Sequence, residues 1–291
     1  GLYWGCKKFV NSDINYEYVI TLTDELILTK YKGSDSSIEV PKYIDNKIIV
    51  GIGDIFQGNE KVVSLVLNDG IKSIEDKAFS ECVNLNSVKI PVSVENIGKA
   101  VFAGCYSLQN IEVPFIGNRA GICLTDLYQY PLGYFFGVDE YANSIKVEQR
   151  YYGSSTETLT ADYFYIPLSL KNVCVLNGVI PCGAFYNCEK LETITLCEGV
   201  SIIGNESFRN CYNITSLILP DGISSIGNNA FNNCKNLNNI TVPDSVKEIG
   251  ERAFSSCLDI EKVNISSIDN WCQINFNDQF ANPLHNGAAL Y

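Results

Sequence analysis

The sequence predicts a solenoid of the α/β class, in which short parallel strands and tight turns repeat along one axis. Phe208, Phe231 and Phe254 recur every 23 residues, and so do Cys211, Cys234 and Cys257; a fixed period of this length marks a stacked array. Between these columns lie runs of period two, such as Leu217 with Leu219 and Ile240 with Val242, which place alternate side chains on one face of a strand. Pro91, Pro114, Pro220 and Pro243 then close those runs at one point in the repeat, where no further ladder donor is needed.

At the N-terminus, Tyr16, Tyr18, Ile20 and Leu22 alternate. A run over 26–31 and another over 38–40 follow, with Gly33 and Ser34 as a turn between them. Residues 1–45 are therefore expected to form an N-terminal antiparallel β cap that covers the first coil, since a stack needs closure at its ends. Repeats occupy 46–114, where Phe56, Phe79 and Phe102 keep the 23-residue step and Cys82 and Cys105 follow the last two. The first coil is degenerate, with Asn59 in the cysteine position. Residues 115–165 lose the rhythm and hold eight of the 17 tyrosines, too aromatic a composition for a disordered linker. Their one polar tip, 154–160, is the candidate mobile loop.

Repeats resume over 166–266 through Leu170, Val173, Val175, Phe185 and Cys188. Beyond them, in the flank 267–291, Ile268, Trp271, Ile274, Phe276 and Phe280 are spaced too irregularly for another coil. They are apolar enough to fold over the last coil as a pseudo-cap. Residues 284–291 read as the first strand of a further module, and 1–291 as a single domain.

One such unit exposes its Ile, Phe and Leu side chains toward the next, and only a neighbour removes them from water. Each buried Phe or Leu then stabilises by roughly 1.5–3 kcal/mol. With 46% hydrophobic and 19% charged residues, the 291-residue chain is not a disordered one. Its 33 acidic against 21 basic residues create a field that repels nucleic acid and anionic membrane surfaces. No apolar run reaches bilayer length, so no membrane insertion is expected. The first residues, GLYWGCKKFV, lack the layout of a signal peptide, and the chain has no methionine. It reads as a processed or excised fragment of a longer precursor.

No catalytic, cofactor-binding or metal-ligating residue is expected, and the chain reads as a non-enzyme. His285 is the only histidine, which leaves no Cys–His or Ser–His–Asp set in mid-chain. Neither GxGxxG nor GxxxxGK[ST] occurs, and Gly98, Gly204, Gly227 and Gly250 recur with the repeat, for which a tight turn is the expected reason. The twelve cysteines include no CxxC pair, and ligands 23 residues apart lie along an axis instead of around a point, so zinc is not expected. Two readings of Cys82, Cys105, Cys188, Cys211, Cys234 and Cys257 stand. Adjacent coils would bring Cα atoms to about 5 Å, close enough for disulfides. Their Phe and Leu neighbours favour the other reading, free thiols packed as small hydrophobes.

The unit IGxxAFxxCxxLxxIxVP resembles the BspA-type leucine-rich repeat of surface proteins from anaerobic bacteria and some parasitic protists. Its Ile-Gly, Ala-Phe, Cys and terminal Pro stay in register over several copies. The sequence departs from the pattern at Cys197 and Ser266 in place of Pro and at Pro181 in place of Gly. The resemblance implies a right-handed leucine-rich repeat solenoid with its parallel sheet on a concave face and short helical turns on the convex face. It also implies an extracellular or cell-surface location and attachment to host or matrix proteins, with no catalytic residues to carry over.

Strand positions pointing away from the core then form the candidate binding face: Ser64, Val66, Ser87, Lys89, Asn110, Glu112, Asn172, Cys174, Thr193, Thr195, Ser216, Ile218, Asn239, Thr241, Lys262 and Asn264. A face so small and polar suits an extended protein or glycan partner better than a buried small molecule. The alternative is a spacer that presents other domains of a larger surface protein. The chain is expected to act as a monomer.

Overall fold

A computed structural model describes residues 11–291. Every coil contributes a strand to one long face, with Ser37–Val40, Ser64–Leu67, Ser87–Lys89, Asn110–Val113, Asn172–Ile180 and Thr193–Ile203 paired in parallel. Ser216–Ile218, Asn239–Thr241, Lys262–Asn264 and Ala289–Leu290 continue that face as a separate four-stranded ladder. Ser37–Val40 lies in the stretch expected to be cap, so the parallel stack begins earlier than the repeat pattern indicates.

A second, narrower ladder runs along the coils where the Ile-Gly pairs fall: Ser73–Ile74 with Asn96–Ile97, then Ile203 with Ile226 and Ile226 with Ile249. Pro91, Pro114, Pro220 and Pro243 separate the two faces. Where Leu176 and Cys197 stand in the proline position the backbone keeps its donor, and one strand runs through both faces, as in Asn172–Ile180 and Thr193–Ile203.

Inside, alternation does what the sequence indicates. Leu65, Val88, Ile111, Val173, Ile194, Leu217, Ile240 and Val263 are all buried, and so is the phenylalanine column. Rings of Phe185, Phe208, Phe231 and Phe254 stack at 5.2, 5.0 and 5.2 Å between centroids. Tyr31 and Tyr16 extend the first block of that column past Phe56, at 5.3 and 5.4 Å. They belong to Tyr16–Ile20 and Leu26–Tyr31, an antiparallel pair that joins Lys47–Ile52 in parallel.

Around each phenylalanine, where short helical turns were expected, the chain makes successive three-residue-spaced turns: Ala78 N–H donates to Glu75 O, Ser80 to Lys77 and Cys82 to Phe79. In the coils of Phe79, Phe102, Phe185, Phe208, Phe231 and Phe254 two residues are left-handed, one two positions before the Phe and one two after it. Asn229 (φ 54°) and Asn233 (φ 64°) bracket Phe231 in this way, and such residues stop a helix from propagating. Asparagine tolerates that conformation, which is why Asn187, Asn210 and Asn233 precede cysteines.

The repeated glycines have a different cause from the one expected. Gly98, Gly204, Gly227 and Gly250 are not among the positive-φ residues. A Cβ on Gly250 would instead lie 2.6 Å from Asn228 N and 2.7 Å from Gly227 C, so close stacking of backbones excludes a side chain.

Within 115–165 the stack is not abandoned. Phe102 N–H donates to Phe135 O as Phe79 N–H donates to Val101 O, which puts Phe136 in the phenylalanine column, fully buried 6.1 Å from Phe102. The 3-10 stretch Leu132–Phe135 is thus the turn of a coil that also carries a hairpin, Ser144–Tyr151 paired with Thr160–Pro167. Buried Gln149 fastens this hairpin, accepting from Gly133 N–H at 2.7 Å and donating to Tyr186 O at 3.0 Å.

The flank 267–291, expected as an irregular pseudo-cap, makes a further coil. Helix Ile268–Trp271, capped by Ser267, stands where other coils turn at proline. Asn275–Phe276 pairs with Glu248–Ile249, Phe254 N–H donates to Phe280 O, and Ala289–Leu290 pairs with Lys262–Asn264. Ala281, fully buried, therefore takes the phenylalanine position.

Candidate functional site

The outward strand face places the sequence-selected residues in rows. Ser64, Ser87, Asn110, Asn172 and Thr193 are register partners, strand to strand, and so are Val66, Lys89, Glu112, Cys174 and Thr195. Ser216, Asn239 and Lys262 form a row in the second ladder, with Ile218, Thr241 and Asn264 beside it. Lys89, Thr193, Thr195, Ser216 and Lys262 are exposed, while Ser64, Ser87, Asn110, Glu112, Asn172, Asn239, Thr241 and Asn264 are half-buried by their neighbours. Ile218 is a large apolar side chain that stands well clear of this face, 71% exposed.

Polar groups on the face partly satisfy one another. Asn172 Nδ2 donates to Asn110 Oδ1 at 2.7 Å, Asn264 Nδ2 to Asn239 Oδ1 at 2.5 Å, and the Ser37 and Ser64 hydroxyls lie 2.7 Å apart. Lys89 and Glu112 form an exposed ion pair at 3.5 Å, worth about 0–1 kcal/mol. The arrangement leaves donors and acceptors standing along the face.

The column cysteines have a specific reason to be cysteine. Cys211 Sγ donates to Phe185 O, Cys234 Sγ to Phe208 O and Cys257 Sγ to Phe231 O, at 3.2, 3.1 and 2.9 Å. Cys82 and Cys105 repeat the contact with Phe56 O and Phe79 O. Alanine would lack the donor, and each thiol ties its coil to the one before. Among the described residues no cysteine is joined to another. Burial pushes the Cys211 and Cys234 thiols well above the ordinary 9.0, and Cys182 up to about 12.

His285 lies in the last coil, with Nδ1 3.1 Å from Asn282 O and its ring edge-on to Phe280. Among the described residues no group of three or more His, Cys, Asp or Glu side chains is placed to hold a metal ion, and no helix is long and apolar enough to cross a membrane.

Two features went unread in the sequence. One is a cavity of about 280 Å³ where the hairpin meets the coil of Phe185, with an apolar floor of Ile145, Val147, Ile166 and Leu191 and with Lys146 and Lys190 among its lining residues. It needs three segments, 145–148, 166–170 and 187–191, which no local pattern brings together. The other is the half-buried pair Cys174 and Cys197, whose Sγ atoms are 3.5 Å apart. Its signal was present, a 23-residue spacing displaced from the main cysteine column.

Solved structures similar to the chain include a leucine-rich cell surface protein of Faecalibacterium prausnitzii, with 18% identity, 92% of this chain and 98% of that chain covered, and a TM-score of 0.36. A leucine-rich repeat protein of Bacteroides ovatus shows 18% identity over 98% of this chain and 100% of that one, with a TM-score of 0.38. A leucine-rich repeat protein of T. pallidum shows 20% identity over 89% and 85%, with a TM-score of 0.36. No curated protein matches the sequence. The model of the BspA type leucine rich repeat region matches six copies over residues 44–120 and 157–281. Its match reaches into the final coil and spans more than half of the sequence, and the chain belongs to the BspA-type leucine-rich repeat family.

Proposed function

We propose that the chain is a non-catalytic binding module of a cell-surface or secreted protein, which attaches to a host, matrix or glycan partner through the outward strand face. Supporting this reading is the regularity of that face: rows of exposed and half-buried Ser, Thr, Asn and Lys side chains run across successive coils of both ladders. In this reading the solenoid is right-handed and curved, with the sheet on its concave side. The chain acts as one monomeric domain, in which the antiparallel pair Tyr16–Ile20 and Leu26–Tyr31 closes the start of the stack. Ser64, Ser87, Lys89, Asn110, Glu112, Asn172, Thr193, Thr195, Ser216, Asn239, Thr241, Lys262 and Asn264 make the contacts. Many small contacts spread over such a surface give breadth of recognition before affinity.

A spacer role is the second reading, favoured by the amide pairs Asn172–Asn110 and Asn264–Asn239, which spend on each other the hydrogen bonds a ligand would use. Binding of the folded chain to immobilised matrix proteins and a glycan array decides between them. Saturable binding to one surface supports the module, and blank responses throughout leave the spacer.

A further inference from the structure

We propose that Cys174 and Cys197 form a modification site on the outward sheet face, a dithiol that reacts with a small disulfide oxidant to give a bond between neighbouring coils. The Sγ atoms already lie 3.5 Å apart and share a hydrogen bond, against about 2.05 Å in a disulfide. Both side chains are half-buried, whereas Cys82, Cys105, Cys188, Cys211, Cys234 and Cys257 are buried within the stack.

The local backbone supplies the freedom to close the gap. Cys197 stands at the corner where four other coils carry proline. The ladder there is irregular: Val175 pairs with Leu196 and Asn177 with Gly199, so that Cys197 and Glu198 together face Leu176. A bulge leaves a residue outside the ladder and bends the strand. Cys197 can therefore shift toward Cys174 without breaking the pairs Val173–Ile194 and Val175–Leu196 on the buried side.

The chemistry balances with the oxidant supplied. Burial and the hydrogen bond to Cys197 hold the proton on Cys174, whose thiol is pushed up to about 12. Cys197, at the bulged corner of the strand, attacks first. As a thiolate it displaces one half of the oxidant's disulfide, forming a mixed disulfide and releasing one thiolate. Cys174 then gives up its proton and attacks the Cys197 sulfur, which expels the second thiolate. Two protein thiols are oxidised and one small disulfide is reduced to two thiols. Reaction through a mixed disulfide is the ordinary course of thiol exchange.

The test treats the folded full chain with glutathione disulfide, quenches with acid, unfolds, alkylates without reductant and maps the peptides. Exposed Cys123 and Cys272 report that the oxidant is competent. The expected result is a Cys174–Cys197 linked peptide and alkylated column cysteines. The Cys174→Ser variant should stop at a stable glutathione adduct on Cys197. Separately alkylated Cys174 and Cys197 in the wild type, or adducts on both without a link, would overturn the proposal. So would an unmodified Cys197 in Cys174→Ser while Cys123 and Cys272 react.

Discussion

Phe231→Ala tests the phenylalanine column where it has neighbours on both sides. The Phe231 ring is 1% exposed and stacks on Phe208 at 5.0 Å and on Phe254 at 5.2 Å, so truncation leaves a hole between two coils. A buried Phe→Ala change costs about 3–5 kcal/mol. That total includes two lost ring pairs, each worth about 0.5–1.5 kcal/mol beyond area. Stability in a stack is a sum over coils and their interfaces, and long arrays can lose two-state behaviour. The loss should therefore be read locally as well as globally. Phe208 N–H donates to Ala230 O and Phe231 N–H to Ala253 O; hydrogen exchange at these amides should accelerate by about two to three decades, since about 1.4 kcal/mol is tenfold. Thr241→Ala, half-buried on the outward face, should cost under about 0.5 kcal/mol. Equal losses for both variants in urea melts would show that the inside and outside of the coil are reversed.

Three further outcomes follow from particular contacts. Gly250→Ala should destabilise by more than an ordinary helix or strand Gly→Ala change, because the new Cβ meets the backbone of the preceding coil at 2.6 Å, whereas on Gly222, which also lacks a positive φ, a Cβ meets nothing nearer than 3.4 Å; paired thermal melts of Gly250→Ala and Gly222→Ala compare the two. Stability should fall as pH rises above about 9: burial raises the folded-state Cys188, Cys211 and Cys234 thiols above the ordinary 9.0, so the unfolded chain gives up those protons first and gains, and urea titrations at increasing pH read the slope. Gln149→Ala should cost about 1–3 kcal/mol by leaving Gly133 N–H and Tyr186 O without their buried partner, and limited proteolysis should then cut faster near 154–160.

Columns of Phe and Cys and the alternation around Leu217 or Ile240 were legible because one energetic need, burial against the next coil, recurs at a fixed spacing. What escaped the reading broke that spacing without breaking the stack. Phe136 fills the phenylalanine column 34 residues after Phe102, since the coil between them makes a longer excursion. The final coil hides because Ala281 replaces the aromatic ring and helix Ile268–Trp271 replaces the proline turn. The second ladder rests on pairs of residues such as Ser225–Ile226, too short for period two to register. Glycine looked like a turn residue, and only the approach of Asn228 to Gly250 shows why no side chain fits. On the outward face the alternation identified which side chains point away from the core, but the amide pairs between coils depend on three-dimensional register.

Binding by the outward strand face is tested most directly by moving charge onto it. Surface plasmon resonance on any matrix protein or glycan that retains the wild-type chain should be repeated with Thr193→Arg together with Thr195→Arg, both exposed on that face. Asn236→Arg, exposed on a turn beyond the cysteine column, serves as the control. Loss of binding in the sheet-face variant with unchanged binding in the control is the predicted result. Unchanged binding in the sheet-face variant, or loss only in the turn variant, would contradict it.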